Sequence, residues 1–319
     1  MATNPEIHPP SSILHPRPIL IAGPTAVGKS KITLQLAEQI GGEIISVDSM
    51  QVYHGLDIGT AKPSAAERAR VPHHLIDVAE LTESFDAARF VALAENAVGE
   101  IASRGRVPIL CGGTGLYFKA FLDGLGEAPP SDAALRVELE AAPLEKLLDE
   151  LRTRDPQTFG RIDQKNPRRI IRALEVIRLT GRKFSEQRAE WSHATRNPQY
   201  ATNFFGVSRA APDLHARIDA RVDEMFRRGL VDETRRLLER GLAQNPTSMQ
   251  AIGYRQVVEH LRGERSLNET IELVKIRTRQ YAKRQLTWFR KHAQLTWIEL
   301  APESSADEAV KLIAAKVGR

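Results

Sequence analysis

The chain carries one cysteine, Cys111, in 319 residues. A single thiol excludes a disulfide framework and any cysteine-built zinc site, and makes a reducing cytosol the default compartment. No stretch approaches 18 uninterrupted apolar residues, so neither a spanning helix nor a membrane partner is expected. Residues 1–16 hold several prolines but no lysine or arginine. They lack the charged start and apolar run of a secretory signal and read as a disordered lead-in. Hydrophobic residues at 42% and charged residues at 27% are ordinary globular values, which excludes wholesale disorder and collagen-like repeats. The length predicts two domains, or one large domain with an insertion.

Acid is locally scarce. From Lys275 to His292 there are seven lysines and arginines and no acid, and from Arg168 to Arg188 seven more against Glu175 and Glu186. These segments hold a net +12 in a chain of net +5, leaving −7 for the rest. Two basic patches, one interleaved with Tyr281, Trp288 and Phe289, predict contact with a nucleic acid. Cations neutralise phosphates there, and aromatic rings stack on unpaired bases. The plainer alternative is a pair of solvated helix faces, with Trp288 and Phe289 in the core.

The order of elements predicts an α/β fold. Pro18–Ala22, Glu43–Val47, His74–Val78 and Val107–Cys111 read as strands. A helix face runs from Ile32 to Ile40, and Ser84 would cap a second helix ending near Arg104. Alternating strands and helices build a mostly parallel sheet with helices on both faces, and ligands bind beyond the carboxyl ends of its strands. Pro129-Pro130 reads as a linker, and 131–199 is helical and arginine-rich. Phe204–Val207 returns to strand, followed by helices over Leu214–Arg240 and Ile271–His292. The expected organisation is a P-loop NTPase-like parallel sheet core (17–130 and 200–319) interrupted by a small helical domain (131–199).

Gly23-Pro24-Thr25-Ala26-Val27-Gly28-Lys29-Ser30 matches G-x-x-x-x-G-K-[ST] in full. Glycines let the backbone wrap a phosphate, its N–H groups pointing inward, and the following helix adds its positive end. Lys29 reaches phosphate oxygens and Ser30 can ligate Mg²⁺. The motif specifies phosphate, not ATP. A nucleotide kinase usually ends a further strand in an acid that holds the metal. Here that strand closes Cys111-Gly112-Gly113-Thr114. The available carboxylates are Asp48 and Asp77. Asp48 could serve a metal, act as a base, or merely cap the next element. Arg217 and Arg221 could pair on the surface with Asp219, Asp223 or Glu224, or Arg221 could clamp a diphosphate. His73 and His74 lack a third ligand at metal spacing.

Eight ordered segments resemble the tRNA dimethylallyltransferase (tRNA isopentenyltransferase) family over roughly residues 17–300. Besides the phosphate loop they are Ser46–Tyr53, Asp57–Pro63, Pro72–Asp77, Gly112–Tyr117, Arg172–Glu175, Gly253–Gln256 and Lys283–Arg290. The absence of a cysteine-built finger makes the match resemble a bacterial form, and Asp86 stands where the family pattern suggests serine. The resemblance implies transfer of a dimethylallyl group from its diphosphate to the exocyclic amine of the adenosine 3′ of the anticodon. The loop Gly23–Ser30, with Arg221, would then hold the isoprenoid diphosphate. It further implies that Asp48 takes the amine proton and that Thr114 touches the bridging oxygen, with Lys29 and Mg²⁺ on Ser30 neutralising the leaving group. The tRNA anticodon stem-loop would meet Asp48, Ser49, Met50, Gln51 and Thr114. It would also meet Arg136 and the run Arg168, Arg169, Ile170, Ile171, Arg172. Further contacts would be Gln250, Ala251, Ile252, Gly253, Tyr254 and Arg255, then Lys283, Arg284, Gln285, Leu286, Thr287, Trp288, Phe289 and Arg290. The target base would leave its stack to react. A cytoplasmic monomer is expected. Two rivals share the fold and stay open at this level: a P-loop small-molecule or nucleoside kinase, and a non-catalytic RNA-binding NTPase.

Overall fold

Short apolar runs bounded by turn residues form the sheet. In the computed structural model, which describes residues 16–125, 128–187 and 203–317, the strands are β1 Ile19–Ala22, β2 Gly42–Val47, β3 His73–His74, β4 Val107–Gly112, β5 Phe204–Arg209 and β6 Thr296–Leu300. They lie in the order β3-β2-β4-β1-β5-β6, and every pairing is parallel. β1, β2 and β5 are buried along their whole length, as expected for strands covered on both faces. This is the P-loop NTPase-like α/β architecture. The lead-in, apart from Pro16, lies outside the described residues.

Register sets the position of the site. Ala22 is level with Gly112 and Gly206, and Val47 with Gly112. The loops leaving β1, β2 and β4 therefore emerge side by side at one edge of the sheet, where Gly23, Asp48 and Thr114 follow. The helix Lys29–Ile40 packs Ile32, Leu34 and Leu36 into a core shared with Ile19, Ile21, Ile109, Phe205 and Ile218.

Several elements differ from expectation. The strand over His74–Val78 stops at His74, because Leu75 (φ 61°) and Asp77 (φ 54°) take left-handed conformations that turn the chain. The helix expected from Ser84 begins at Ala87 and ends at Ser103; its cap is Asp86, whose Oδ1 accepts from the Arg89 N–H at 2.9 Å. That gives Asp86 a purely local role. The helix expected over 214–240 is two helices, Ala211–Arg227 and Leu230–Glu239, divided at Gly229 (φ 96°). The last long helix starts earlier, at Leu267, behind a capping box of Ser266 and Glu269. β6 and the helix Ala306–Val317 complete the edge beyond β5.

The chain divides into two compact units, 1–118 with 199–319, and 119–198. In the second unit the helices Ala133–Ala141, Leu144–Arg154 and Pro167–Thr180 enclose Leu139, Leu147, Leu151, Ile170, Leu174 and Ile177.

Candidate active site

The phosphate loop is held by its carbonyls. Pro24 O accepts from Lys29 Nζ at 2.7 Å, Ala26 O from Arg217 Nε at 3.0 Å and Val27 O from Arg209 Nε at 3.1 Å. Gly23 (φ 153°) passes so close to β5 that a Cβ would sit 2.5 Å from Val207 O, and Gly28 (φ 107°) begins the helix in the left-handed region. Neither position accommodates a side chain without strain. One N–H expected to face a phosphate is already engaged: Thr25 N–H donates to Gln285 Oε1 at 2.9 Å.

A cavity of about 430 Å³ opens at this loop, bordered by Lys29, Ser30, Lys31, Arg217 and Arg221, with Ala61 also on its wall. Four cations around a helix N-terminus make a site for a polyanion. Burial lowers the Lys29 ammonium from 10.5 to about 8; Arg221 pushes the same way, while Cys111 and Asp48 oppose. Burial also lowers the Arg221 guanidinium, and the Asp48 charge counters it. Lys29, Arg221 and Asp48 thus lie within electrostatic reach of one another. Arg221 Nη1 is 3.5 Å from Thr25 Oγ1. The surface pairing envisaged for Arg217 and Arg221 does not form: Asp219 pairs with Arg279, Asp223 with Lys275 and Glu224 with Arg227.

Asp48 follows β2 in a tight turn. Its Oδ1 accepts from Met50 N at 2.8 Å and Gln51 N at 3.3 Å. Thr114 N donates to Val47 O at 3.2 Å, and Thr114 Oγ1 accepts from Ser49 N at 3.1 Å. The Thr114 hydroxyl, its oxygen used as acceptor, keeps its hydrogen for another partner. Gln51 fills the space beside Asp48: Ser46 Oγ donates to its Oε1 at 2.8 Å, and its Nε2 donates to Thr60 O at 3.1 Å. Tyr281 and Tyr117 lie near the same carboxylate, their hydroxyl pKa values raised chiefly by burial, with the Asp48 charge adding to the rise.

Burial narrows the expected tRNA-facing set. Gln285 does not face outward: its amide bridges Thr25 and Gly113, donating to Gly113 O at 2.9 Å. Tyr254 and Phe289 are fully buried. Tyr254 Oη donates to Glu233 Oε1 at 2.6 Å and accepts from Gly59 N at 3.0 Å. Ala251 and Gly253 are buried, Ile252 half-buried, and Gln250 and Arg255 exposed or nearly so, Arg255 pairing with Glu259. Of the helix Leu267–His292, Lys283, Arg284, Thr287 and Arg290 reach the surface, while Leu286 and Trp288 are half-buried. A second cavity of about 450 Å³ lies on this face, bordered by Lys283, Arg284, Thr287, Trp288, Lys291 and His292. A groove of cations and one indole suits phosphate and base together.

In the helical unit, Arg168 and Arg169 are exposed at the start of Pro167–Thr180, behind the Asn166 cap, whereas Ile170 and Ile171 are buried. Arg136 and Arg172 both bond the buried Glu175, which also accepts from Ser131 Oγ and Asp132 N. Arg172 therefore serves that unit's own structure.

Two anchoring residues escaped sequence reasoning. Glu233 receives Ile58 N–H at 3.0 Å; its signal was a carboxylate in the inward stripe of Leu230, Thr234 and Leu237. Lys62, inside a matched segment but given no role, is buried with its ammonium on Tyr53 O, Asp57 and Asp77. Asp77 is thus committed to Lys62 and Arg68 and is not a metal ligand. His74 bonds Glu43 and His73 bonds Val71 O. Among the described residues no cluster of three or more His, Cys, Asp or Glu side chains could hold a metal, and no helix is long and apolar enough to cross a membrane.

Residues 51–292 match the family model described as IPP transferase. A tRNA dimethylallyltransferase of Trichlorobacter lovleyi is 47% identical over 297 residues, covering 92% of this chain and 96% of that protein. One from an Anaeromyxobacter species is 47% identical over 301 residues, covering 93% and 98%. Among solved structures, a tRNA isopentenylpyrophosphate transferase from Bacillus halodurans superposes with a TM-score of 0.69 at 42% identity, covering 95% and 97%. A eukaryotic dimethylallyltransferase acting on tRNA gives 0.76 at 28% identity, covering 95% and 80%. With relatives this similar over nine-tenths of its length, the chain belongs to the IPP transferase family of tRNA dimethylallyltransferases.

Proposed function

We propose that this chain transfers a dimethylallyl group from dimethylallyl diphosphate to the exocyclic amine of the adenosine 3′ of the tRNA anticodon, releasing diphosphate. The observation that carries the reading is the meeting of a carboxylate, Asp48, and a hydroxyl, Thr114, with the cationic phosphate loop at one sheet edge. No acid ends β4, which speaks against the kinase alternative.

The loop, Lys29, Arg217 and Arg221 bind the leaving diphosphate and take up its growing negative charge. The Thr114 hydroxyl donates to the bridging oxygen as the carbon–oxygen bond breaks. The adenine nitrogen forms the new bond to the allylic carbon, and its proton passes to Asp48. An aryl amine is a weak nucleophile, so alignment by Asp48 and the Gln51 turn carries much of the work. Mg²⁺ ordinarily takes few protein ligands alongside substrate phosphates and water. Ser30, exposed on the cavity wall, fits that arrangement; when bound, the ion supplies positive charge to the leaving group. Lys283, Arg284, Thr287, Trp288 and Arg290, with Arg168 and Arg169, receive the anticodon stem-loop, and the buried Gln285, Phe289, Ile170 and Ile171 support their own helices from within. The single thiol suits a cytoplasmic enzyme, and one chain supplies every residue of the step.

The test is mass spectrometry of tRNA incubated with enzyme and dimethylallyl diphosphate. One isoprenoid per susceptible tRNA, without ATP, is expected. An absolute ATP requirement, or phosphate transfer to a small molecule, would favour the kinase.

A further inference from the structure

Beside the catalytic turn lies a charge cluster with no assigned task, built around one buried ammonium. The Lys62 side chain is 2% exposed and its ammonium is 2.7 Å from Tyr53 O and 2.8 Å from Asp57 Oδ1, with Asp77 Oδ1 as third partner. Arg68 Nη1 donates to the other Asp77 oxygen at 2.9 Å. Burial works to raise the Asp77 pKa, but the hydrogen bonds from Lys62 and Arg68 outweigh it and hold the carboxyl below its ordinary value. Three non-glycine residues at this cluster, Ala61, Leu75 and Asp77, adopt left-handed backbone. Such conformations are strained and persist only where surroundings over-determine them.

The cluster connects to Asp48 in two steps. Lys62 sits directly after Thr60 and Ala61, whose carbonyls accept from Gln51 Nε2 at 3.1 and 3.4 Å. Gln51 N–H in turn donates to Asp48 Oδ1, and Asp77 N–H donates to Gln51 O at 3.2 Å. The cluster thus grips Gln51 from the 60–61 carbonyls and from residue 77. On the opposite flank Glu233 and Tyr254 hold Ile58 and Gly59. A segment fixed at both flanks by buried side chains is held in place, and Lys62 is the cluster's buried cation, Arg68 being about a third exposed.

We infer that Lys62 is a positioning residue: its ammonium, bridging Asp57 and Asp77, holds the 60–61 carbonyls that fix Gln51 and thereby aims the Asp48 carboxylate. The inference rests on the prenyl-transfer reading above. Lys62 does not border the phosphate cavity, whose cations are Lys29, Lys31, Arg217 and Arg221, so its loss leaves those groups in place to hold a diphosphate.

Lys62→Met removes the charge and keeps the stem. Under conditions where circular dichroism and melting show it folded, its kcat for prenylation of an anticodon stem-loop is expected to fall about tenfold or more. Its Kd for inorganic diphosphate should stay within about threefold of wild type, a split that general loosening would not produce. Asp77→Asn, which keeps shape, should move the same two numbers in the same directions. The double variant should be slower than Lys62→Met by no more than about twofold, because both changes act on one contact. A folded Lys62→Met with kcat within about twofold of wild type overturns the inference, and so does a parallel loss of kcat and diphosphate affinity. Where Lys62→Met fails to fold, Asp77→Asn is judged by the same criteria. Inactivity of the wild type towards dimethylallyl diphosphate overturns the prenyl-transfer reading itself, before any variant is compared.

Discussion

The half-buried Lys29 makes the pH dependence of substrate capture a direct test of the site. Its pKa lies at about 8, against 10.5 for an ordinary lysine, chiefly because burial strips water from the charge. A diphosphate is held by the charged form. At pH 7 roughly nine in ten molecules carry that charge, and at pH 9 roughly one in ten. The kcat/KM for dimethylallyl diphosphate, which reports the free enzyme, is therefore expected to fall nearly tenfold between pH 7 and pH 9. Lys29→Arg, whose guanidinium stays charged, should be slower throughout yet lack that fall. The stability linkage has the opposite sign. The folded pKa is below the unfolded one, so between about pH 8 and 10.5 the unfolded chain binds more protons and folding gains as pH rises. Lys29→Met should accordingly gain most over wild type below pH 8, with the gap closing by about pH 10.5. A wild-type kcat/KM flat to pH 9.5, or an identical fall in Lys29→Arg, would refute the assignment of that ionisation to Lys29.

Asp48→Ala should cut single-turnover rates by about two to four orders of magnitude while diphosphate affinity survives; a twofold loss would remove Asp48 from the proton transfer. Replacing Arg284 and Arg290 by alanine should weaken tRNA binding and reduce its salt slope by about 0.7 for each phosphate no longer neutralised, read from filter binding at several salt concentrations; an unchanged slope would mean neither meets RNA. Tyr254→Phe leaves Glu233 short of a donor and Gly59 N–H without its acceptor, and should cost about 1–3 kcal/mol in denaturant unfolding. Unchanged stability there would mean the buried pair is not needed to hold residues 58 and 59.

Local chemistry carried much of the reading. An apolar run followed by glycines, lysine and serine announces strand, anion loop and helix because each needs only near neighbours. Asp48 and Thr114 were legible as strand-end residues for the same reason. Gln285 was not: it reads as one more polar residue in a basic helix, and only the packing of that helix against the loop turns its amide inward, onto Thr25 and Gly113. The strand expected through Asp77 stops at His74, where left-handed Leu75 and Asp77 turn the chain and the Asp77 carboxylate meets Lys62, a charge partner fifteen residues away.

The sequence alone determined that this protein carries a phosphate-binding motif after its amino-terminal strand and basic, aromatic-bearing helices, since composition and short motifs encode both. Which of those residues meet solvent and which brace the site was decided by the tertiary structure. Burial and pairing depend on distant partners, Thr25 and Gln285 being 260 residues apart, and no local pattern of side chains encodes a partner at that distance.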